Sequence, residues 1–161
     1  MYKFKNKELI LSSISISQEI RRDNSLLTNK DITIFNSSII PIKGSTNFLI
    51  ASRGWYGNVR SWDGINFIVL TIFNRNYKKI KQNIIDVDLT LLEEHNLKFK
   101  EFKNRIVVHQ KQALDGPEDP RLFYYKDDIF ILVNEIDDDR RRLMYLAVID
   151  VDTLNYKIPK T

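Results

Sequence analysis

The residues of this sequence best suited to chemistry surround one proline, in the segment Glu118-Asp119-Pro120-Arg121. Pro120 fixes its own φ and favours an extended conformation at Asp119, so a carboxylate and a guanidinium can be held side by side in one geometry. A carboxylate positioned in this way can transfer a proton or bind a polar ligand. The alternative is a solvated turn in which Asp119 caps the backbone and Arg121 pairs with Glu118.

Composition restricts the kinds of site this chain can build. The 161 residues include no cysteine and only two histidines, His95 and His109, far apart in sequence. Thiolate catalysis, disulfides and cysteine-based zinc sites are therefore excluded, and we expect no metal. A hydrophobic content of 43% with 29% charged residues is typical of one globular domain.

The net charge of +4 does not indicate a nucleic-acid partner, because the basic residues are scattered. Arg140 to Arg142 directly follow Asp137 to Asp139, so this block nearly neutralises itself and fits an exposed hairpin tip. The apolar run Leu9-Ile10-Leu11 is too short for a signal peptide or a membrane span. We therefore expect no membrane partner and a cytoplasmic location.

Short runs rich in β-branched and aromatic residues predict an almost all-β protein. Asp-Gly in Trp62-Asp63-Gly64-Ile65 predicts a hairpin with a type I′ turn. Residues 1–30 lack a clear period and are expected to form an extended arm or a stray strand, and Leu91 to Phe102 could be a short helix or a long loop. The predicted strands are 32–42, 46–53, 58–62, 65–73, 82–88, 105–110, 121–125, 128–134 and 143–150.

Two sequence matches at one offset predict an internal repeat with a period of 64 residues. Ile85-Asp86-Val87-Asp88 recurs as Ile149-Asp150-Val151-Asp152. The same shift aligns Asp63-Gly64-Ile65 with Asp127-Asp128-Ile129. Repeats of this length built from short strands favour β-propeller blades, here 31–92 and 93–156 within one domain. About two blades cannot close a ring, so we expect a fragment, a homo-oligomer or a complementing propeller chain, with open strand edges able to pair.

Four segments occur in an order that resembles the first two blades of the five-bladed β-propeller glycosidases. The closest resemblance is to the mannoside phosphorylases and hydrolases of glycoside hydrolase family 130, and it spans roughly residues 31–156. It implies a carbohydrate ligand and a glycoside hydrolase or phosphorylase activity on mannoside-like sugars. The segments are Phe35-Asn36-Ser37-Ser38-Ile39-Ile40, Phe48-Leu49-Ile50-Ala51-Ser52-Arg53, Asp86-Val87-Asp88 and Gly116-Pro117-Glu118-Asp119-Pro120-Arg121.

The resemblance implies roles for individual residues. Asp119 would be the proton donor, which requires a raised pKa. Asn36, Ser37 and Arg53 would line the sugar subsite beside the cleaved bond, and Arg121 would hold the aspartate and reach toward sugar or phosphate. Glu118, also a candidate binding residue, would point to the other side of an extended strand. No cofactor is implied, although inorganic phosphate could serve as co-substrate.

The segment Gly54-Trp55-Tyr56-Gly57-Asn58-Val59-Arg60 supplies further candidates. Asn58 and Arg60 share one side of a strand by alternation and could hydrogen-bond sugar hydroxyls, although an arginine on a strand is often merely solvated. Trp55 could stack on a sugar ring or pack between blades.

This chain departs from the family pattern in one important respect. The later blades that carry the remaining phosphate-binding and acidic residues are not in this sequence, so a complete active site is not expected from this chain alone. Two alternatives therefore stay open. One is a catalytically incomplete protein that binds a glycan or a nucleotide-sugar, and the other is a structural module that assembles through its open blade edges.

Overall fold

The computed structural model describes residues 16–58, 63–85, 117–136 and 142–157, and these form two four-stranded antiparallel sheets. The prediction of an all-β protein is confirmed. The first sheet has the order β1-β2-β3-β4, with β1 at Ile32–Pro41, β2 at Phe48–Asn58, β3 at Asp63–Phe73 and β4 at Lys79–Ile85. The second has the order β5-β6-β7-β8, with β5 at Glu118–Tyr125, β6 at Asp128–Ile136, β7 at Arg142–Asp150 and β8 at Asn155–Lys157.

The first sheet is covered on both faces. Every residue from Phe67 to Phe73 in β3 is buried, and such a continuous apolar run is the pattern of a strand between two packed layers. One face joins the second sheet in a shared core. Because successive side chains of a strand point to opposite faces, this core takes alternate residues of each strand. It contains Ile40, Leu49, Ala51, Ile68, Leu70, Ile72 and Ile85 with Ile129, Ile131, Val133, Ile149 and Leu154.

The other face of the first sheet is covered by the segment that precedes β1. Residues 16–21 are helical, and Ile16 and Ile20, one helical turn apart, pack toward the sheet together with Leu27. The Arg21 guanidinium donates to the carbonyls of Leu27 and Ile32, which ties this segment to the start of β1. The predicted extended arm is therefore wrong for residues 16–30, because apolar side chains at helical spacing find a sheet face to cover.

The first strand of each sheet contains a β-bulge at a corresponding place. In β1 the register with β2 shifts between Phe35 and Ser38, and in β5 the register with β6 shifts between Glu118 and Arg121. One residue in each bulge has a left-handed backbone, with φ of 48° at both Asn36 and Asp119. The expectation that Pro120 holds Asp119 extended is wrong, since the bulge fixes its conformation.

The structural repeat differs from the sequence repeat. The shift of 64 residues would match the start of β3, the third strand of its sheet, with the start of β6, the second strand of the other sheet. The matching bulges at Asn36 and Asp119 are instead 83 positions apart. The segments that begin at Asp63 and at Asp127 are therefore not equivalent in the fold, and residues 86–88 of the other repeat lie outside the described residues.

The β2–β3 hairpin also differs from its prediction. Asp63 and Gly64 lie within β3, opposite Asn58 and Gly57, so they do not form the turn. The predicted strand at 105–110, the segment from Leu91 to Phe102, and both histidines lie outside the described residues. Within the described ranges no helix is long and apolar enough to cross a lipid bilayer, and the two sheets do not close into a ring.

Candidate functional site

The two bulges bring Asn36 and Asp119 together from different sheets. The Asn36 Nδ2 atom donates to Asp119 Oδ1 at 2.7 Å, although the residues are 83 positions apart. Bulges re-aim side chains and are frequent beside active sites, and asparagine and aspartate tolerate the left-handed backbone better than most residues. The short polar side chains of both first strands therefore meet at one point between the sheets.

Arg53 of β2 lies beneath this pair and joins it to the interior. Its Nε donates to Asn66 Oδ1 at 2.7 Å, its Nη1 to Asp119 Oδ1 at 3.1 Å, and its Nη2 to Glu118 Oε1 at 3.1 Å. Arg53 is only 6% exposed and Glu118 only 4%, so this ion pair is buried. We call Asn36, Arg53, Asn66, Glu118 and Asp119 the polar cluster.

Aromatic side chains hold the Arg53 guanidinium in place. Its Cζ atom lies 5.0 Å from the centre of the Phe35 ring and 5.6 Å from that of Trp55. Such cation–π contacts are strongest where water is excluded. Trp55 is 1% exposed, so its ring packs in the interior and does not offer a face to a ligand. Beside it, Gly54 lies so close to the Phe67 ring that a Cβ atom would overlap it.

Pro120 fits β5 because it falls within the bulge. A proline cannot donate to a strand ladder, and it is therefore confined to edges and bulges. Pro120 has no partner in the β5–β6 register, which resumes at Arg121 and Leu132. The same residue that marked the segment in the sequence thus interrupts pairing and leaves Asp119 turned toward Asn36.

The surroundings of Asp119 hold its pKa below the ordinary value of 3.8. Burial, the largest single influence, raises the pKa. It is more than offset by the hydrogen bonds from Asn36 and Arg53 and by the charges of Arg53 and Arg121, all of which stabilise the carboxylate. Asp119 is therefore an ionised hydrogen-bond acceptor at neutral pH in this structure.

This pKa predicts a specific pH dependence of stability. Because the folded-state pKa of Asp119 is depressed, its ionisation stabilises the fold fully above the ordinary pKa of 3.8, and this contribution is lost as the pH falls through the lower folded value. We expect Asp119→Asn to lower the free energy of unfolding at pH 6–7 and to differ progressively less from wild type below about pH 4. Urea unfolding at several pH values measures this, and a difference that does not change with pH would contradict it.

The other predicted site residues fall into three groups. Ser37 lies beside the cluster, where its Oγ is 2.8 Å from Ser52 Oγ in a hydrogen bond. Arg121 is exposed, and its charge acts on Asp119. Asn58 ends β2, but its side chain lies outside the described part of the chain, as does the whole of Arg60.

Two residues of this region were missed by the sequence analysis. Asn66 is fully buried and binds Arg53, and its Nδ2 lies 3.5 Å from Glu118 Oε1. The sequence signal that could have identified Asn66 is its position as a lone asparagine beside the apolar run of β3, since a buried amide needs hydrogen-bond partners. Arg142 begins β7, and its Nη1 lies 3.5 Å from Glu118 Oε2. The sequence alone predicts for it a self-neutralising hairpin tip.

The described residues contain no group of three or more histidine, cysteine, aspartate or glutamate side chains placed to hold a metal ion. Comparisons with protein-family models, with curated proteins and with solved structures find no match for this chain. The resemblance to glycoside hydrolase family 130 therefore stays a prediction from the order of the motifs.

Proposed function

We propose that the polar cluster is a carbohydrate-binding site in which Asn36 and Asp119 meet sugar hydroxyls. The observation that supports this most is the 2.7 Å hydrogen bond between two left-handed bulge residues from different sheets. Strained backbone of this kind collects at functional sites, because the surrounding structure must hold it in place. Arg53 supplies that support from below.

The chemistry of the pair suits a polyhydroxylated ligand. The Asp119 carboxylate accepts hydrogen bonds from hydroxyl groups, and the Asn36 amide both donates and accepts them. The Asp119 side chain is 31% exposed, so it is accessible from solvent while one of its oxygens is already bound by Asn36 and Arg53. A fixed, charged acceptor binds hydroxyls more strongly than a neutral one.

We also infer that the two sheets are neighbouring blades of a glycosidase-type propeller. Each is a four-stranded antiparallel sheet in sequential strand order, and the two pack through a shared apolar core. Their first strands carry the matching bulges, and the Leu122 amide donates to Ser38 Oγ at 3.0 Å between β5 and β1. Stacked four-stranded sheets with adjacent first strands are the arrangement of propeller blades.

A second candidate function is glycoside cleavage on mannoside-like sugars, with Asp119 as the general acid. The observation that favours it is that burial is already the largest influence on the pKa of Asp119 and acts to raise it. A sugar covering the exposed third of the side chain would add to this effect. Binding is the better-supported function, because the pKa is depressed in the unliganded protein and a general acid must be protonated.

Calorimetric titration of the protein with methyl α- and β-mannosides, alongside other monosaccharides, tests this proposal. Saturable binding of at least one sugar, with no sugar release in water or in phosphate, supports the binding function. Release of sugar, or of sugar phosphate in phosphate buffer, supports the second candidate. Absence of saturable heat with every sugar, in protein whose folding is verified by circular dichroism, would contradict both.

A further inference from the structure

Asn66 is a polar side chain within an otherwise apolar layer. It is fully buried, and alternation along β3 places it on the same face as Ile68 and Leu70, which belong to the core shared with the second sheet. Its Oδ1 atom accepts the Arg53 Nε hydrogen bond at 2.7 Å, and its Nδ2 atom lies 3.5 Å from Glu118 Oε1. Because an amide buried without partners is costly, these two contacts account for its presence in the core.

The two partners of Asn66 fix the direction of its amide group. A guanidinium has only donors, and an ionised carboxylate has only acceptors. The Asn66 oxygen must therefore face Arg53 and its nitrogen must face Glu118. An aspartate of the same shape would set a second carboxylate against Glu118, and a leucine would leave the Arg53 Nε buried without an acceptor. Asparagine combines the required donor and acceptor in one short side chain.

The contacts of Asn66 and Glu118 aim the Arg53 guanidinium at Asp119. This group is planar and rigid, so its donors move together. Nε is held by Asn66 and Nη2 by Glu118 at 3.1 Å, and the remaining Nη1 is then directed to Asp119 Oδ1, also at 3.1 Å. Without Asn66, the guanidinium would have a single interior anchor and could pivot about it.

The charged groups near Asp119 come from three strands: Arg53 of β2, Glu118 and Arg121 of β5, and Arg142 of β7, which contacts Glu118. Two of these groups, Arg53 and Arg121, stabilise the Asp119 carboxylate through their charges. Arg53 also donates a hydrogen bond to it. The orientation of Arg53 therefore governs both the charge and the direction of the Asp119 carboxylate.

We infer that Asn66 is a positioning residue of the carbohydrate site, which holds Arg53 in the orientation that binds Asp119. The inference rests on the proposed function. Asn66 does not meet the sugar itself, because it is fully buried. It acts through Arg53 on the carboxylate that sugar hydroxyls would contact.

A nuclear magnetic resonance titration of the Asp119 carboxyl carbon tests the inference without any ligand. Asn66→Ala should raise the pKa of Asp119 toward the ordinary value of 3.8, because the hydrogen bond from Arg53 is weakened. In the calorimetric titration at neutral pH, the same variant should bind sugar about tenfold more weakly, as expected for the loss of one hydrogen bond to a charged group. Since binding needs the ionised carboxylate, the pH below which binding is lost should rise together with the pKa.

Two further variants separate positioning from a general loss of stability. Asn66→Asp leaves no cavity and should also raise the pKa of Asp119, because a new carboxylate competes for Arg53. The matched control is Thr71→Val on the opposite face of β3, where the fully buried Thr71 hydroxyl accepts a hydrogen bond from Gln82. This control should be less stable than wild type and should leave the Asp119 pKa and the sugar affinity unchanged. Circular dichroism verifies that each variant is folded.

An Asp119 pKa and a sugar affinity that both Asn66 variants leave as in wild type would overturn the inference, and so would equal changes in Thr71→Val. If neither Asn66 variant folds, the wild-type protein still decides. Its Arg53 Nε proton signal should shift as Asp119 titrates, and an unresponsive signal would overturn the inference. A wild-type protein that binds no sugar would contradict the proposed function, whereas the Asp119 pKa would still report whether Asn66 positions Arg53.

Discussion

Replacing Arg53 by alanine is expected to lower the free energy of unfolding by about 3–5 kcal/mol, because a buried carboxylate loses its principal partner. Glu118 is 4% exposed and receives the Arg53 Nη2 hydrogen bond at 3.1 Å. The substitution also removes the donors to Asn66 and Asp119 and opens a space beside the Phe35 and Trp55 rings. Urea unfolding at neutral pH measures the loss.

Four further variants separate the effect of the ion pair from a general loss of stability. Arg75→Ala removes an exposed arginine and should change stability by less than about 0.5 kcal/mol. The double variant Arg53→Met/Glu118→Gln should be more stable than Arg53→Met alone, because it leaves no unpaired buried charge. Arg53→Lys should rescue little, since one ammonium cannot supply three hydrogen bonds in a planar fork. If Arg53→Ala were as stable as Arg75→Ala, the buried ion pair would not hold the sheets together.

Replacing Asp119 by alanine is expected to abolish measurable sugar binding in the calorimetric titration. The change removes the charged acceptor and leaves the Asn36 amide and one Arg53 donor without their partner. Asn36→Ala should also weaken binding, by about tenfold, which corresponds to the loss of one or two hydrogen bonds.

The control is Asp127→Ala, which removes an aspartate from an exposed ion pair with Lys43 and touches no member of the polar cluster. It should bind sugar as tightly as wild type. Asp119→Asn distinguishes charge from shape, since the amide keeps an oxygen acceptor but loses the negative charge, and we expect intermediate affinity. Unchanged affinity in Asp119→Ala would place any carbohydrate site elsewhere.

Much of the fold could be predicted from the sequence because its strands are long apolar or alternating runs. The run from Phe67 to Phe73 and the run from Ile129 to Val133 are strands as predicted. The predicted site residues include Asn36, Arg53, Glu118 and Asp119, which converge on one point although they come from three strands. The prediction that these residues form one site rested on their order along the chain and on the family resemblance.

The geometry of this convergence could not be predicted, because it depends on contacts between residues that are distant in sequence. Left-handed conformations at Asn36 and Asp119 arise from register shifts between strands, and register depends on pairing across the sheet. Asn66 and Arg142 become relevant only once β3 and β7 are placed beside Glu118. The depressed pKa of Asp119 likewise depends on Asn36 and Arg53, which are distant in sequence.

The predictions of the 64-residue repeat and of an extended arm over residues 16–30 were wrong for a related reason. Asp63 begins β3, the third strand of its sheet, whereas Asp127 directly precedes β6, the second strand of the other sheet, so a spacing of 64 residues did not identify equivalent strands. The helical residues 16–21 are too few to show a period by themselves. They become ordered by covering a sheet face that the sequence alone does not reveal.

The central claim, that Asn36 and Asp119 bind carbohydrate, is tested most directly by a nuclear magnetic resonance titration that follows side-chain amide signals. Adding the sugar identified by calorimetry should shift the signals of the Asn36 Nδ2 protons and of the backbone amides of Asp119 and Arg121. The side-chain amide signal of Asn24, which donates to Gln82 outside the polar cluster, should not shift. Saturable shifts that spare Asn36 and Asp119 would contradict the account.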